Sequence, residues 1–184
     1  MSAAGGGGGT ALPEEIEEPF WQPISPAVAG ATLAGVALLV FLSRGSDPWV
    51  PILDSANLAF HEAGHLIYGI LGQTLGLYGG TLGQLTFPAV LVGASAWRRQ
   101  VPGVAIGLAW MAQNFRNIAR YCADAVAQEL PLVGGGDHDW TNILDRWNAL
   151  HLDQRVAGVF RGIAWVLFAA AAGFVVWRWR RSSR

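Results

Sequence analysis

His61-Glu62-Ala63-Gly64-His65 is a run of residues suited to metal chemistry. On a helix, imidazoles at i and i+4 project from one face, so His61 and His65 both reach a single ion. Glu62 stands beside them, placed to hydrogen-bond a water at that ion rather than to ligate it. Zinc brings the pKa of such a water toward neutrality, and the carboxylate then takes its proton as general base. Gly64 lets another backbone come close.

Two imidazoles leave zinc short of ligands, and the rest of the chain offers Asp124, Glu129, Asp137, His138, Asp139 and His151. His138 is the expected third ligand. It follows the Gly134-Gly135-Gly136 run, which can fold back, and flanking carboxylates such as Asp139 can orient its ring. Asp124 is the alternative. Asp137 or Asp139 also suits the cap of a helix starting near Trp140, and His151 stands at an interfacial helix end. An extended zincin pattern would need Gly at position 68 and His at position 71, where this chain has Tyr68 and Leu71.

Further polar residues fall where a site would want them. Asn114, Asn117, Tyr121, Asp124 and Gln128 recur at helical spacing in an otherwise apolar region. In a membrane such a stripe faces the bundle interior or a wet cavity. Asn114, Tyr121 and Asp124 are therefore candidates to orient ligand or substrate. Arg116 and Arg120 sit off that face and read as snorkelling anchors. Gln84 lies in 78–88, where Gly79-Gly80 permits a turn or partly extended chain to which a substrate strand could add.

The elements that must hold these groups are predicted to be membrane helices. Apolar residues make up 52% of the 184 and charged ones 14%, far from a soluble domain. Mean hydropathy is +0.33. All twelve basic residues are Arg, and the net charge of −1 gives no electrostatic reason to expect nucleic acid. The single Cys122 cannot form an intrachain disulfide. Residues 1–25, rich in Gly, Glu and Pro, are expected to be a disordered tail without the basic start of a cleavable signal. Residues 26–184 are expected to form one all-α membrane bundle of about five spans: 26–43, 52–71, 82–97 interrupted at Pro88, 101–111 continuing as a polar helix to Gln128, and 156–177.

Before the last span comes a short amphipathic helix with Ile143, Leu144, Trp147 and Leu150 on one face. Trp49, Trp97 and Trp177 mark interfaces, and the Arg cluster after residue 177 sets the C-terminus in the cytoplasm and the acidic N-terminal tail outside. Three full spans between 52 and 118 would make the second and fourth helices parallel. His138 would then start from the outer side, with the His pair mid-helix or nearer the inner side. Either 119–140 folds back or Pro88 marks a re-entrant segment.

His61, Glu62, Gly64 and His65 within an apolar helix, followed by Gly79-Gly80 and further spans, resemble the site-2 protease family of intramembrane zinc metallopeptidases. The resemblance implies zinc on the two His, water activation by the Glu, a later Asp completing the site, and membrane-embedded substrates. It covers one helix and a general layout, and the family's Asp-Gly pair is absent. The chain is also similar over roughly 54–150 to a group of small bacterial membrane proteins. Their pattern appears here as the HEAGH helix, Gly79-Gly80, Gln84, Pro88, Tyr121 with Asp124-Ala125, Leu130-Pro131-Leu132 with Gly134-Gly135, and His138-Asp139-Trp140. That likeness implies that these polar groups belong together.

The expected function is a zinc-dependent hydrolase of a bacterial inner membrane, most simply a peptidase acting on a membrane-embedded or membrane-proximal peptide. The competing reading is a non-catalytic membrane protein with a structural or sensing zinc.

Overall fold

The computed structural model describes residues 21–45, 48–133 and 137–182. They form six helices and no strand: α1 Pro26–Ser43, α2 Pro51–Gly69, α3 Gln73–Trp97, α4 Val101–Ala123, α5 Asp139–Arg146 and α6 Asp153–Ser182, the last preceded by a 3-10 turn at Leu150–Leu152. The all-α expectation holds. Most of the expected tail, residues 1–20, lies outside the described residues.

Three helical segments are long and apolar enough to cross a membrane: Pro26–Ser43, Gln73–Trp97 and Leu150–Ser182. α2 and α4 are not, and the reason lies in their sequences. α2 carries Asp54, Asn57, His61, Glu62 and His65, and α4 carries Gln113, Asn114, Arg116, Asn117 and Arg120. Several of these groups are tolerable in a bundle because they meet one another, as Asp54, Asn57 and Gln113 do. α4 is the hub, packed against α1, α3 and α6, and it buries residues on nearly every side.

Polar bonds fix how α2 sits. Asp54 is fully buried, and its carboxylate accepts from Val50 N, from Gln113 Nε2 at 2.8 Å and from Asn57 Nδ2 at 2.9 Å. Asn57 Oδ1 in turn accepts from Trp110 Nε1 at 2.8 Å. The first turns of α2 therefore lie beside the middle of α4, while His61 further along lies beside Tyr121 in the last turn of α4. α2 covers only the C-terminal half of α4. The two run in the same direction, as expected, but α2 begins halfway. That offset removes the difficulty of reach: the His pair and α5 are at the same end of the bundle, and Pro88 need not mark a re-entrant segment.

α2 turns back into α3 through Ile70–Gly72, where Gly72 has φ of +119°, a conformation natural only to glycine. The two helices then touch backbone to backbone. A Cβ on Gly64 would collide with the Gly79 carbonyl, and one on Gly83 with the Phe60 carbonyl. Gly79-Gly80 thus does not form the expected turn or extended chain. Both are helical, and their lack of side chains permits close packing of the small-residue kind. No edge for strand addition exists at 78–88. Pro88 is buried inside a continuous α3, where it only deletes the helical bond to the carbonyl of residue 84.

α4 ends at Ala123, short of the expected Gln128. The Asp124 carboxylate accepts from Glu129 N at 2.9 Å and Leu130 N at 3.1 Å, so it binds the turn that follows instead of letting the helix run on. Arg116 is not a snorkelling anchor. It is 7% exposed and donates to Ser43 O at 3.0 Å and Gly45 O at 2.7 Å, capping carbonyls at the end of α1.

Of the five expected spans, those at 26–43, 82–97 and 156–177 fall on helical segments of spanning length. Ile24 N donates to Ser182 Oγ at 3.4 Å, Arg178 Nη2 to Trp21 O at 3.4 Å, and Gln22 N to Arg99 O at 3.2 Å. The start of α1, the α3–α4 turn and the end of α6 therefore share one end of the bundle.

Candidate metal centre

α2 supplies His61 and His65 one turn apart, and both rings are held by α3. His65 Nδ1 donates to Gly76 O at 2.8 Å, which turns Nε2 toward the cluster, where Asp139 holds its proton and a metal would have to displace it. His61 presses its ring against Gly80, where a Cβ would overlap the imidazole. Glycine at position 80 makes the space in which His61 stands.

The third member comes from α5. Asp139 is its first residue, and its Oδ2 lies 2.9 Å from His61 Nε2 and 3.1 Å from His65 Nε2. The two Nε2 atoms are 3.2 Å apart. Ligand atoms on a tetrahedral zinc with ~2.1 Å bonds are separated by about 3.4 Å. The triangle of donors found here is close to that spacing, so two imidazoles and a carboxylate fit one ion with little movement. His61, His65 and Asp139 are also the one His/Cys/Asp/Glu group among the described residues compact enough to share an ion.

His138, the expected third ligand, takes another part. It is the N-cap of α5, its Nδ1 accepting from Thr141 N at 3.2 Å, and its ring packs on Tyr121 with centroids 4.1 Å apart. Its Nε2 is buried and 3.4 Å from Asp124 Oδ2. Burial lowers its pKa, against the pull of Asp124. The alternative, Asp124, is occupied by the backbone of residues 129 and 130. Asp139, expected to orient a ligand, instead stands with the imidazoles. Burial opposes its charge, but hydrogen bonds from His61 and His65 outweigh that and hold its carboxyl at about 2.

Tyr121 fixes this corner. Its hydroxyl oxygen accepts from Asp139 N at 3.1 Å, which sets the first turn of α5 over the His pair. Ile143 and Leu144, fully buried beneath α5, supply the apolar part of that docking. The exposed Trp147 donates to Tyr78 OH at 2.9 Å and ties the end of α5 to α3.

The three donors form part of the wall of a cavity of about 570 Å³ between α2 and α4. Glu62, Gln84, Asn117, Arg120, Tyr121 and Asp137 line it too, with Leu58 and the segment Leu130–Val133 as an apolar side. Glu62 faces this space, and its carboxylate hydrogen-bonds to no described residue. Asn114 does not line it: fully buried, it donates to Trp110 O at 3.2 Å and Asn57 Oδ1 at 3.4 Å, behind the site. His151 and Glu129 are not in the cluster.

Asp54 is the residue that the sequence reading passed over. It lines the cavity two turns before His61 and anchors α2 to α4. A lone acid at the start of an apolar helix was the available signal. Comparison of the chain with protein-family models, with curated proteins and with solved structures finds no match.

Proposed function

We propose that the protein is a membrane zinc hydrolase, acting as a peptidase on a membrane-proximal peptide, with His61, His65 and Asp139 as ligands and Glu62 as general base. The observation that carries this reading is the convergence of three donor atoms, 2.9–3.2 Å apart, on the wall of a cavity into which Glu62 also faces. Zinc, when bound, supplies a Lewis acid that makes water acidic near neutral pH and polarises a carbonyl. The protein's own groups do the rest. Glu62 accepts a proton from the attacking water and delivers it to the departing amine nitrogen as the C–N bond breaks. Tyr121, whose oxygen accepts from Asp139 N, keeps its own O–H to donate toward negative charge on the carbonyl oxygen.

A structural zinc is closed by four protein ligands, whereas a catalytic one keeps a position open. His138 and Asp124, the third ligands expected from the sequence, do not line the cavity and are engaged elsewhere, which favours the open site over a structural or sensing one. The position of the site favours a membrane-proximal substrate: Tyr121 is twenty residues along α4 from Val101, about 30 Å at 1.5 Å per residue. That is the thickness of a hydrocarbon core.

We infer that α1, α3, α4 and α6 cross a bacterial inner membrane, with both ends of the bundle's chain on the cytoplasmic side. Arg98 and Arg99 in the α3–α4 turn, and Arg178, Arg180 and Arg181 at the end of α6, support this orientation. The metal centre then opens on the other face.

The test is zinc content and peptide hydrolysis of the detergent-purified protein. Wild type is expected to hold one zinc, His61→Ala and Asp139→Ala to lose it, and Glu62→Gln to keep it while hydrolysis falls by about 10²–10⁴. A wild type that binds no metal overturns the reading. Loss of metal from Glu62→Gln would instead make Glu62 a ligand.

A further inference from the structure

Gln84 lies on α3 one turn beyond Gly80, the residue against which the His61 ring rests. Residues four apart share a helix face at about 5–6 Å, and Cα–Cβ bonds tilt toward the N-terminus of the helix. The Gln84 side chain therefore leans back from its own turn toward Gly80 and the metal cluster. It is 7% exposed, it lines the cavity, and its carboxamide hydrogen-bonds to no described residue.

The carboxamides of Asn57 and Gln113, by contrast, bond to neighbours through both oxygen and nitrogen. The polar atoms of Gln84 are open to the cavity, so their partner there is water until a ligand displaces it. A carboxamide offers two N–H donors and an acceptor oxygen, the same pair of functions as a peptide group. What complements it is another amide entering the cavity.

We propose that Gln84 is a substrate anchor, its carboxamide pairing with the N–H and C=O of a peptide group laid across His61, His65 and Asp139. The apolar residues in the lining, Leu58 and Leu130–Val133, then receive an apolar side chain of the same peptide. The preferred substrate class is an apolar peptide segment. This assignment rests on the hydrolase reading above.

Two probes separate the two claims. Acetohydroxamate chelates zinc and has no peptide beyond it; a leucyl-peptide hydroxamate adds peptide groups and an apolar side chain. Zinc-loaded wild type is expected to bind both, the peptide form more tightly. Gln84→Met, close in size, is expected to keep its zinc and its melting temperature and to leave acetohydroxamate unchanged. It should weaken the peptide hydroxamate about tenfold, the effect of a lost hydrogen bond or two. Should Gln84→Met destabilise the protein, Gln84→Glu, which keeps the length and lacks the N–H donors, is expected to show the same selective loss. Equal peptide affinity in wild type and variants overturns the role of Gln84 and leaves the hydrolase reading standing. If zinc-loaded wild type binds neither probe, the open metal site falls, and this assignment with it.

Discussion

Asp139 and His138 are adjacent, yet one joins the His pair and the other does not. His138 is the N-cap of α5, with extended backbone (φ −71°, ψ 111°), and its ring turns to Thr141 N and Tyr121. Asp139 is the first helical residue, and its side chain leaves in a different direction. The exchange Asp139→Asn is therefore expected to strip zinc from the purified protein, because the amide is a poor ligand. His138→Ala should keep zinc and cost about 1 kcal/mol of stability through the lost cap. Elemental analysis beside thermal melting checks both. Zinc lost from His138→Ala at an unchanged melting temperature would return His138 to the ligand set.

Among the elements, the α2–α3 hairpin carries most of the precision. Its glycines allow two backbones to touch and give His61 its space, so changes at those positions should act on metal binding without altering any ligand. Gly80→Ala places a methyl group against the His61 ring and is expected to lower zinc affinity at least tenfold. Gly93 lies on the same helix with open space around a Cβ. Gly93→Ala should leave zinc unchanged and raise stability by up to about 1 kcal/mol, the ordinary helix gain over glycine. Equal zinc affinity in the two variants would show that the ring does not depend on that space. Arg116 does comparable work at the end of α1. Arg116→Met is expected to lower stability by about 1–3 kcal/mol, since it leaves carbonyls of Ser43 and Gly45 unpaired.

For the whole molecule, the arrangement of helices makes a prediction that composition cannot. Single cysteines introduced at Gln22 and Ser182, in a Cys122→Ser background, are expected to be labelled by a membrane-impermeant reagent from the same side of the bilayer. A cysteine at Asn148, beyond α5, should be labelled from the other. Labelling of positions 22 and 182 from opposite sides would show an odd number of crossings and overturn the proposed four. Running apolar spans are easy to count in a sequence. Such a count says nothing of the offset between helices: α2 starts halfway along α4 and stays at one end, held there by the Asp54–Gln113 and Asn57–Trp110 bonds.

The sequence by itself determined the helices and the pair of imidazoles. Periodicity and apolar length act locally, and i, i+4 spacing alone puts His61 and His65 on one face. It also showed that Glu62, Gln84 and Tyr121 were polar groups out of place in apolar surroundings. Only the tertiary structure decided which acid completes the cluster, what the glycines of α3 are for, and which end of the bundle holds the site. Those outcomes depend on contacts between residues far apart in the chain: the separation of 78 positions from His61 to Asp139 is closed by α5 docking on Ile143 and Leu144, and by Tyr121 holding Asp139 N. No local pattern encodes such a closure, because the same residues would serve equally well as cap, surface charge or ligand until the helices pack.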